Sequence, residues 1–120
     1  MKLLTGNQIV EMLGKGEQAE SIEENDLVVY HKFFNPAGAG TWLLTELSER
    51  DDGTLIGFGY VDLGFGGGSA EWGQFSLDEL QSVDVGFGLG IERDKNFAPK
   101  NFRQAVMDNN MEHWKLNPKA

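Results

Sequence analysis

The chain has 120 residues, no cysteine and a formal net charge of −9, with 19 acidic side chains against ten Lys and Arg. This length suits one domain that buries about two thirds of the unfolded chain's surface. The lack of cysteine excludes a disulfide framework, a thiolate metal site and a cysteine nucleophile. No apolar run approaches the roughly 18 residues that a membrane span needs, so we expect a cytoplasmic protein without membrane contact.

The negative charge is concentrated in residues 51–92, which we call the acidic block. These 42 residues carry eight carboxylates and no Lys or Arg, whereas residues 93–120 carry three acids and six bases. A concentrated negative field opposes approach to DNA, RNA or an anionic membrane. We therefore expect no direct nucleic-acid binding and a partner protein with a basic surface.

The first half of the chain predicts a short helix and an antiparallel meander. Thr5-Gly6-Asn7-Gln8 has the form of a capping box, which predicts a helix over about 6–13. Residues 15–26 have the composition of a polar, solvated connection. Three strands rich in Val, Tyr, Phe and Thr are then predicted at residues 27–34, 41–47 and 54–63. The turn Arg50-Asp51-Asp52-Gly53 makes the last two a hairpin.

The centre of the chain is rich in glycine, with 11 of the 16 glycines between residues 53 and 90. Gly-Phe-Gly occurs three times there, at residues 57–59, 64–66 and 86–88. We interpret these tripeptides as strand positions where glycine permits bulges and close backbone approach while the phenylalanine packs. Gly64 to Ser69 lacks the lysine of a phosphate loop and does not open an amphipathic helix, so nucleotide binding is disfavoured.

The remaining residues predict two strands and two helices. A strand is predicted at 71–75, a helix from the capping box Ser76-Leu77-Asp78-Glu79 to about Val83, a strand at 89–93 and a helix at 101–114 capped by Asn101. Together the elements predict an α+β fold with a small antiparallel sheet. We expect one domain over residues 1–100 and a C-terminal helical extension over 101–120 packed on it.

Few residue patterns indicate catalysis. The two histidines, His31 and His113, nearly exclude a multi-histidine zinc site. Asp51-Asp52-Gly53 lacks the ligand ladder of a calcium loop and suits a hairpin turn. No serine stands in a nucleophile elbow. We expect no catalytic residue, no bound metal and no cofactor.

Aromatic residues beside acids are good anchors for a partner. In the strand at 71–75, alternation places Trp72 and Phe75 on opposite faces, so either one of them is exposed or helices cover both. The candidate partner-binding residues are Trp42, Glu46, Asp62, Glu71, Trp72, Asp78 and Glu79.

Arg93 is the first base after the acidic block. Its planar guanidinium suits a bidentate carboxylate partner. Glu92 and Arg93 are therefore the candidate structural ion pair, at a junction where Arg93 pairs with a carboxylate of the block.

Three segments of the chain resemble one protein family. They are Trp42-Leu43-Leu44-Thr45-Glu46, the run from Ala70 to Leu80, and Leu89 to Asp94 followed by Phe97 and Pro99. Over about residues 2–100 the chain is similar to the uncharacterised group called domain of unknown function 2958, with Gln74 where an aromatic residue is expected. The resemblance implies a small intracellular bacterial protein, often carried on mobile genetic elements. It brings no established activity, no catalytic residues and no cofactor to this chain.

We expect a non-catalytic protein-interaction module, encoded by a mobile element, with an acidic face that docks on a basic protein surface. The most specific form of this hypothesis is that the acidic face mimics nucleic acid and so helps the element to evade host defence. The alternative is a small-molecule or divalent-metal-binding domain, or an enzyme, that uses Glu46, Asp62, Glu71 and Glu92 around the glycine-rich loop. A third hypothesis is a regulatory subunit that docks by its C-terminal helix. Acidity that only keeps the domain soluble is the simplest explanation of the charge. A deep pocket with converging carboxylates favours ligand binding, and a convex acidic sheet favours interaction.

Overall fold

The computed structural model describes residues 2–64 and 70–111, which fold as an α+β domain. In chain order the elements are α1 (Gly6–Lys15), one turn of 3₁₀ helix (Glu24–Asp26), β1 (Val28–Val29), β2 (His31–Phe34), β3 (Thr41–Glu49), β4 (Leu55–Asp62), β5 (Glu71–Ser76), α2 (Leu77–Ser82), β6 (Asp84–Gly86), β7 (Leu89–Gly90), β8 (Glu92–Arg93), β9 (Lys100–Asn101) and α3 (Phe102–Asp108). The predicted fold class is confirmed. None of the helices in these residues is long and apolar enough to cross a membrane.

A five-stranded antiparallel sheet in the order β5-β4-β3-β2-β8 organises the domain. The long hairpin of β3 and β4 forms its centre, and β5 adds to β4 with Trp72 opposite Tyr60. Two short pairs, β1 with β9 and β6 with β7, lie outside this sheet. The predicted antiparallel meander is therefore confirmed for the middle of the chain.

Successive side chains of the sheet pack into two separate cores, because alternate residues of a strand point to opposite faces. On one side, which we call the α1 face, Phe33 and Leu44 pack with Met12 of α1 and Leu80 of α2. On the other, the α3 face, the buried residues of the sheet and of α3 are Leu43, Tyr60, Phe102, Ala105 and Val106. The sheet is thus the shared wall between two small cores.

Two predicted strands are each divided in two. The strand predicted at 27–34 is interrupted at Tyr30, because β1 pairs with β9 whereas β2 pairs with β3 and β8. The strand predicted at 89–93 is interrupted at the buried Ile91, which separates β7 from β8. The first division arises from pairing with the distant strands β8 and β9, and the second arises because β7 pairs with the neighbouring β6 whereas β8 pairs with the distant β2.

The C-terminal helix is a core element in the structure. Asn101 caps α3 by accepting from the backbone N–H of Gln104 at 2.8 Å, as predicted. Phe102 is fully buried, and its N–H donates to the carbonyl of Leu27 at 2.7 Å. The boundary expected at residue 100 therefore lies at the entrance to a helix that supplies much of the α3-face core. The rest of the predicted extension, residues 112–120 with His113 and Trp114, lies outside the described residues.

Candidate functional site

A cleft between the described residues has a volume of about 530 Å³. We call it the glutamate cleft. Its lining combines apolar side chains with three carboxylates and a few small or polar residues: Leu13, Leu47, Ile56, Phe58, Glu17, Glu46, Glu49, Gly16, Ser48 and Gln74. Three segments of the chain meet there, namely the end of α1 with the residues after it, β3, and the adjoining strands β4 and β5. The cleft is thus apolar and acidic at once.

A β-bulge in β3 determines which side chains enter the cleft. The pairing of β3 with β4 shifts between Leu44 and Glu46, and the intervening Thr45 is buried with its hydroxyl donating to the carbonyl of Phe58 at 3.0 Å. Beyond the bulge Glu46 lies opposite Phe58, which in turn lies opposite Gln74. Residues directly opposite share a face of a sheet, so these three side chains form one row. Bulges commonly re-aim side chains next to functional sites.

Gln18 fixes the segment that closes one side of the cleft. Its side-chain amide pairs with Val28, accepting from the N–H at 2.8 Å and donating to the carbonyl at 2.9 Å, and also donates to the carbonyl of Thr45 at 3.2 Å. The backbone N–H of Gln18 donates to Oε2 of Glu46 at 2.8 Å. The connection predicted as simply solvated is therefore anchored to the bulge. This anchoring holds Glu46 in one orientation.

The aromatic part of the cleft is held by the α3-face core. The ring of Phe58 stacks on Trp72 with centroids 5.7 Å apart, and Trp72 also contacts Tyr60 and Phe102. The indole N–H of Trp72 donates to Oε2 of Glu24 at 2.6 Å. Trp72 is thus half-buried among internal contacts.

Trp72 and Phe75 lie on opposite faces of β5, as the alternation predicted. Both are half-buried: Trp72 packs against the α3-face core and Phe75 against the α1-face core. Of the two arrangements that the sequence left open, the one in which both are covered is observed.

The other candidate residues are spread over the surface. Trp42 and Glu71 both lie opposite Val61, on one row, beside a smaller cleft of about 230 Å³. Asp62 accepts from the N–H of Gly64 at 2.8 Å, in the turn after β4. Asp78 and Glu79 are exposed in the first turn of α2. Glu46 is the single member of the predicted set that lines the glutamate cleft.

Arg93 joins β8 to the N-terminal segment through neutral acceptors. Its Nη1 donates to the carbonyl of Leu3 at 3.1 Å and to Oε1 of Gln8 at 2.6 Å. The same Gln8 oxygen accepts from the N–H of Thr5 in the capping box of α1. Within the described residues the guanidinium therefore donates to a side-chain amide and a backbone carbonyl. The sequence had suggested a carboxylate partner, from Glu92 or from elsewhere in the acidic block.

Burial, and next the charge of Arg93, lower the pKa of His31 below its usual 6.5.

No group of three or more His, Cys, Asp or Glu side chains in residues 2–64 and 70–111 is placed to hold a metal ion. Asp62, Glu71 and Glu92, considered as metal ligands on the alternative hypothesis, stand on β4, β5 and β8. What the arrangement can do is attract a cationic group to an apolar cleft by the summed charge of its glutamates.

Phe87 is the exposed aromatic residue that the sequence interpretation missed. It is 99% exposed at the tip of the β6–β7 hairpin, with φ of 57° between Gly86 at 106° and Gly88 at 74°. Phe87 and Gly88 are the two central residues of the turn, and positive φ at both central positions is typical of a type I′ turn. The interpretation of Gly-Phe-Gly as a strand with a packed phenylalanine holds around Phe58 and is wrong at residues 86–88. The tripeptide at 64–66 lies partly outside the described residues.

A family model described as "Protein of unknown function (DUF2958)" matches residues 3–109 of the chain. The match confirms the resemblance noted in the sequence. It runs through α3 to residue 109, so the family pattern continues past residue 100, where we expected it to end. No curated protein and no solved structure matches the chain.

Proposed function

The chain belongs to the DUF2958 family, whose description assigns no activity, and we propose that it is a non-catalytic protein-interaction module. Its acidic surface docks on a basic surface of another protein. One observation carries the proposal: every Asp and Glu in the described residues is exposed or half-buried, and most of the acidic block's carboxylates face water. Such charges act on a partner through their summed field.

The spacing of the carboxylates supports docking over catalysis. Acid–base catalysis uses two carboxyl groups that share one pocket. The candidate acids Asp62, Glu71 and Asp78 instead stand in a turn, at a strand end and on a helix. Removing one of several dispersed charges changes a field slightly, whereas removing a catalytic group abolishes turnover.

The sharpest form of the proposal is mimicry of nucleic acid. Exposed carboxylates on several elements then occupy the phosphate-binding sites of a protein that processes nucleic acid, which fits a role in defence evasion by a mobile element. If this form is right, double-stranded DNA competes with the chain for the same surface of the partner, and the partner's affinity for that DNA falls as the salt concentration rises. The mobile-element setting and the cytoplasmic location stay predictions from the resemblance and the composition.

The test begins with capture of the partner from a lysate of the native host at low salt, followed by its purification. Binding is then measured for single amide substitutions and for the combined set Asp62→Asn, Glu71→Gln, Asp78→Asn and Glu79→Gln. Single substitutions should weaken binding by about two- to threefold, and the combined set should slow association by about tenfold or more. Glu11→Gln, on α1 outside the acidic block, is the charge-matched control.

One amide substitution that eliminates function, together with binding that salt does not affect, contradicts the interaction proposal. If the combined set and a set of four amide substitutions outside the block weaken partner binding equally, the acidic block has no specific role in binding, and its charge only keeps the domain soluble.

The volume of the glutamate cleft favours a second candidate, a small-molecule or cation-binding domain. About 530 Å³ is within the range of roughly 300–1,000 Å³ that is usual for ligand sites. A bound ligand raises the melting temperature by mass action. A small amine that does so for the natural chain, but not for Glu46→Gln, favours this candidate.

A further inference from the structure

We propose that the glutamate cleft receives an arginine side chain of the basic partner protein. This inference rests on the proposed function, because it names the group that the partner inserts. The rest of the acidic surface then steers the partner, and the cleft provides its specific contact.

The charge of the cleft selects a cation. Its lining includes Glu17, Glu46 and Glu49 and contains no Lys or Arg. A concave site with low-dielectric walls and charge of one sign focuses the field on whatever enters. An exposed carboxylate outside a cleft lacks this focusing, which distinguishes Glu46 from Asp78 or Glu79.

Glu46 is prepared to accept a charged donor. Its Oε2 accepts the N–H of Gln18, while its Oε1 has no hydrogen-bond partner within the described residues. Each carboxylate oxygen has two acceptor sites, so the group retains capacity for the paired N–H donors of a guanidinium. The clamp formed by Gln18 fixes the carboxylate before the partner arrives, and preorganised groups bind more tightly.

The apolar lining favours arginine over lysine. Ile56 is buried and Phe58 half-buried, and the Phe58 ring is fixed by stacking on Trp72. A guanidinium is planar, weakly hydrated and able to stack on an aromatic ring, whereas an ammonium is a compact and strongly hydrated charge. The side-chain carbonyl of Gln74, opposite Phe58, adds a neutral acceptor at the same row.

The same lining disfavours a bare divalent cation. Calcium takes six to eight oxygen ligands at about 2.3–2.6 Å, and magnesium keeps a near-octahedral shell. No group of three or more His, Cys, Asp or Glu side chains in the described residues, the three glutamates of the cleft included, is placed to hold a metal ion. Apolar walls beside the carboxylates cannot replace the water that such an ion would lose.

The test is a titration of the ¹⁵N-labelled chain with acetyl-Gly-Arg-Gly-amide, followed by NMR at low salt. Peptides with lysine or with the uncharged analogue citrulline replace the arginine in parallel titrations, and spermidine serves as a small-molecule probe. We expect the arginine peptide to shift the amide signals of Glu46, Ser48 and Phe58 saturably. Glu46→Gln should weaken this binding by about tenfold or more, since a charge-assisted hydrogen bond is lost. Glu11→Gln on α1, outside the cleft and the acidic block, is the matched control and should leave the affinity within about twofold. Glu71→Gln is measured beside it to detect binding on the general acidic surface.

A second variant keeps the test decisive if Glu46→Gln disturbs the fold. Glu17→Gln combined with Glu49→Gln removes two exposed cleft charges and leaves the contact of Gln18 with Glu46 intact. Loss of binding in this variant, with an unchanged amide spectrum outside the cleft, supports the proposal.

Four results overturn the arginine site. The arginine peptide binds the general acidic surface if its signal shifts spread over α2 and the β5 edge and if Glu46→Gln and Glu71→Gln weaken its affinity equally. Equal affinities for the arginine and lysine peptides, or tighter binding of spermidine in the cleft, show different specificity. An arginine peptide that does not bind, while the captured partner binds normally, removes the cleft and leaves the proposed function standing.

Discussion

Replacing Gly59 by alanine should strongly destabilise the fold. Gly59 lies in β4 with Leu44 opposite on one side and Gly73 of β5 opposite on the other. A Cβ added to Gly59 would overlap the carbonyl oxygen of Leu43 and lie 2.8 Å from its carbonyl carbon, whereas a Cβ on Gly73 would meet no atom within 4 Å. Neither glycine has a positive φ, so backbone conformation penalises neither substitution.

The expected cost follows from what must move. Carbon atoms pack at about 3.5 Å or more, so β4 must separate from β3 beside the bulge and lose ladder hydrogen bonds. Two or three bonds at about 1 kcal/mol each, with added strain, lower the free energy of unfolding by about 3 kcal/mol. Gly73→Ala should instead raise it by about 0.5–1 kcal/mol, because alanine loses less backbone entropy on folding.

The assay is equilibrium unfolding in urea followed by tryptophan fluorescence, with the amide spectrum as a check of the native fold. Unfolding free energies of Gly59→Ala and Gly73→Ala that agree within about 0.5 kcal/mol would refute the close approach of β4 to β3 at Gly59.

Three further predictions concern stability. Phe87→Asn should raise the free energy of unfolding by about 0.5–1 kcal/mol, because asparagine tolerates a φ of 57° and suits a type I′ turn; a lower urea midpoint contradicts the hairpin geometry. Phe102→Ala should lower it by about 3–5 kcal/mol, since a fully buried ring in contact with Trp72 and Tyr60 is lost, and a loss below about 1 kcal/mol would restore α3 as a separable extension. His31 has a lowered pKa in the folded chain, from burial first and then Arg93, so the unfolded chain binds the proton more readily. The free energy of unfolding therefore does not depend on the protonation of His31 above about pH 6.5, and it declines as the pH falls below that value. If the difference in unfolding free energy between the natural chain and His31→Asn does not change between pH 7.5 and 5.5, the assignment is wrong.

Local chemistry made much of the fold predictable. The capping box at Thr5 and the N-caps at Ser76 and Asn101 each involve residues three apart, and all three side chains accept the expected backbone N–H. The β3–β4 hairpin is likewise closed locally, with Arg50 N–H donating to the carbonyl of Thr54 at 2.9 Å. Composition and spacing carry such information because both partners lie within one turn.

Contacts between distant residues could not be predicted in the same way. The division of the strand at Tyr30 depends on pairing with β8 and β9, about 60 to 70 residues later. Arg93 finds its acceptors 85 and 90 residues earlier, at Gln8 and Leu3. The positive φ of Phe87 was obscured because Gly-Phe-Gly suits both a strand and a turn.

The candidate site shows the same division. Glu46 was predicted as a partner-binding residue, but Glu17, Glu49 and Phe58 were not. Their convergence requires the bulge at Thr45 and the clamp formed by Gln18, and neither has a local signature in the sequence. An acidic surface can be recognised from composition, whereas a cleft within it requires the fold.

The most direct test of the interaction account is the rate of association between the chain and its purified partner, measured by stopped flow across a series of salt concentrations. A summed field predicts a rate that falls steeply as the screening length shortens to about 8 Å near physiological ionic strength. It also predicts a much flatter salt dependence for the variant with all four amide substitutions at Asp62, Glu71, Asp78 and Glu79. An association rate that does not change with salt, in a protein that one of those substitutions inactivates, would contradict the account.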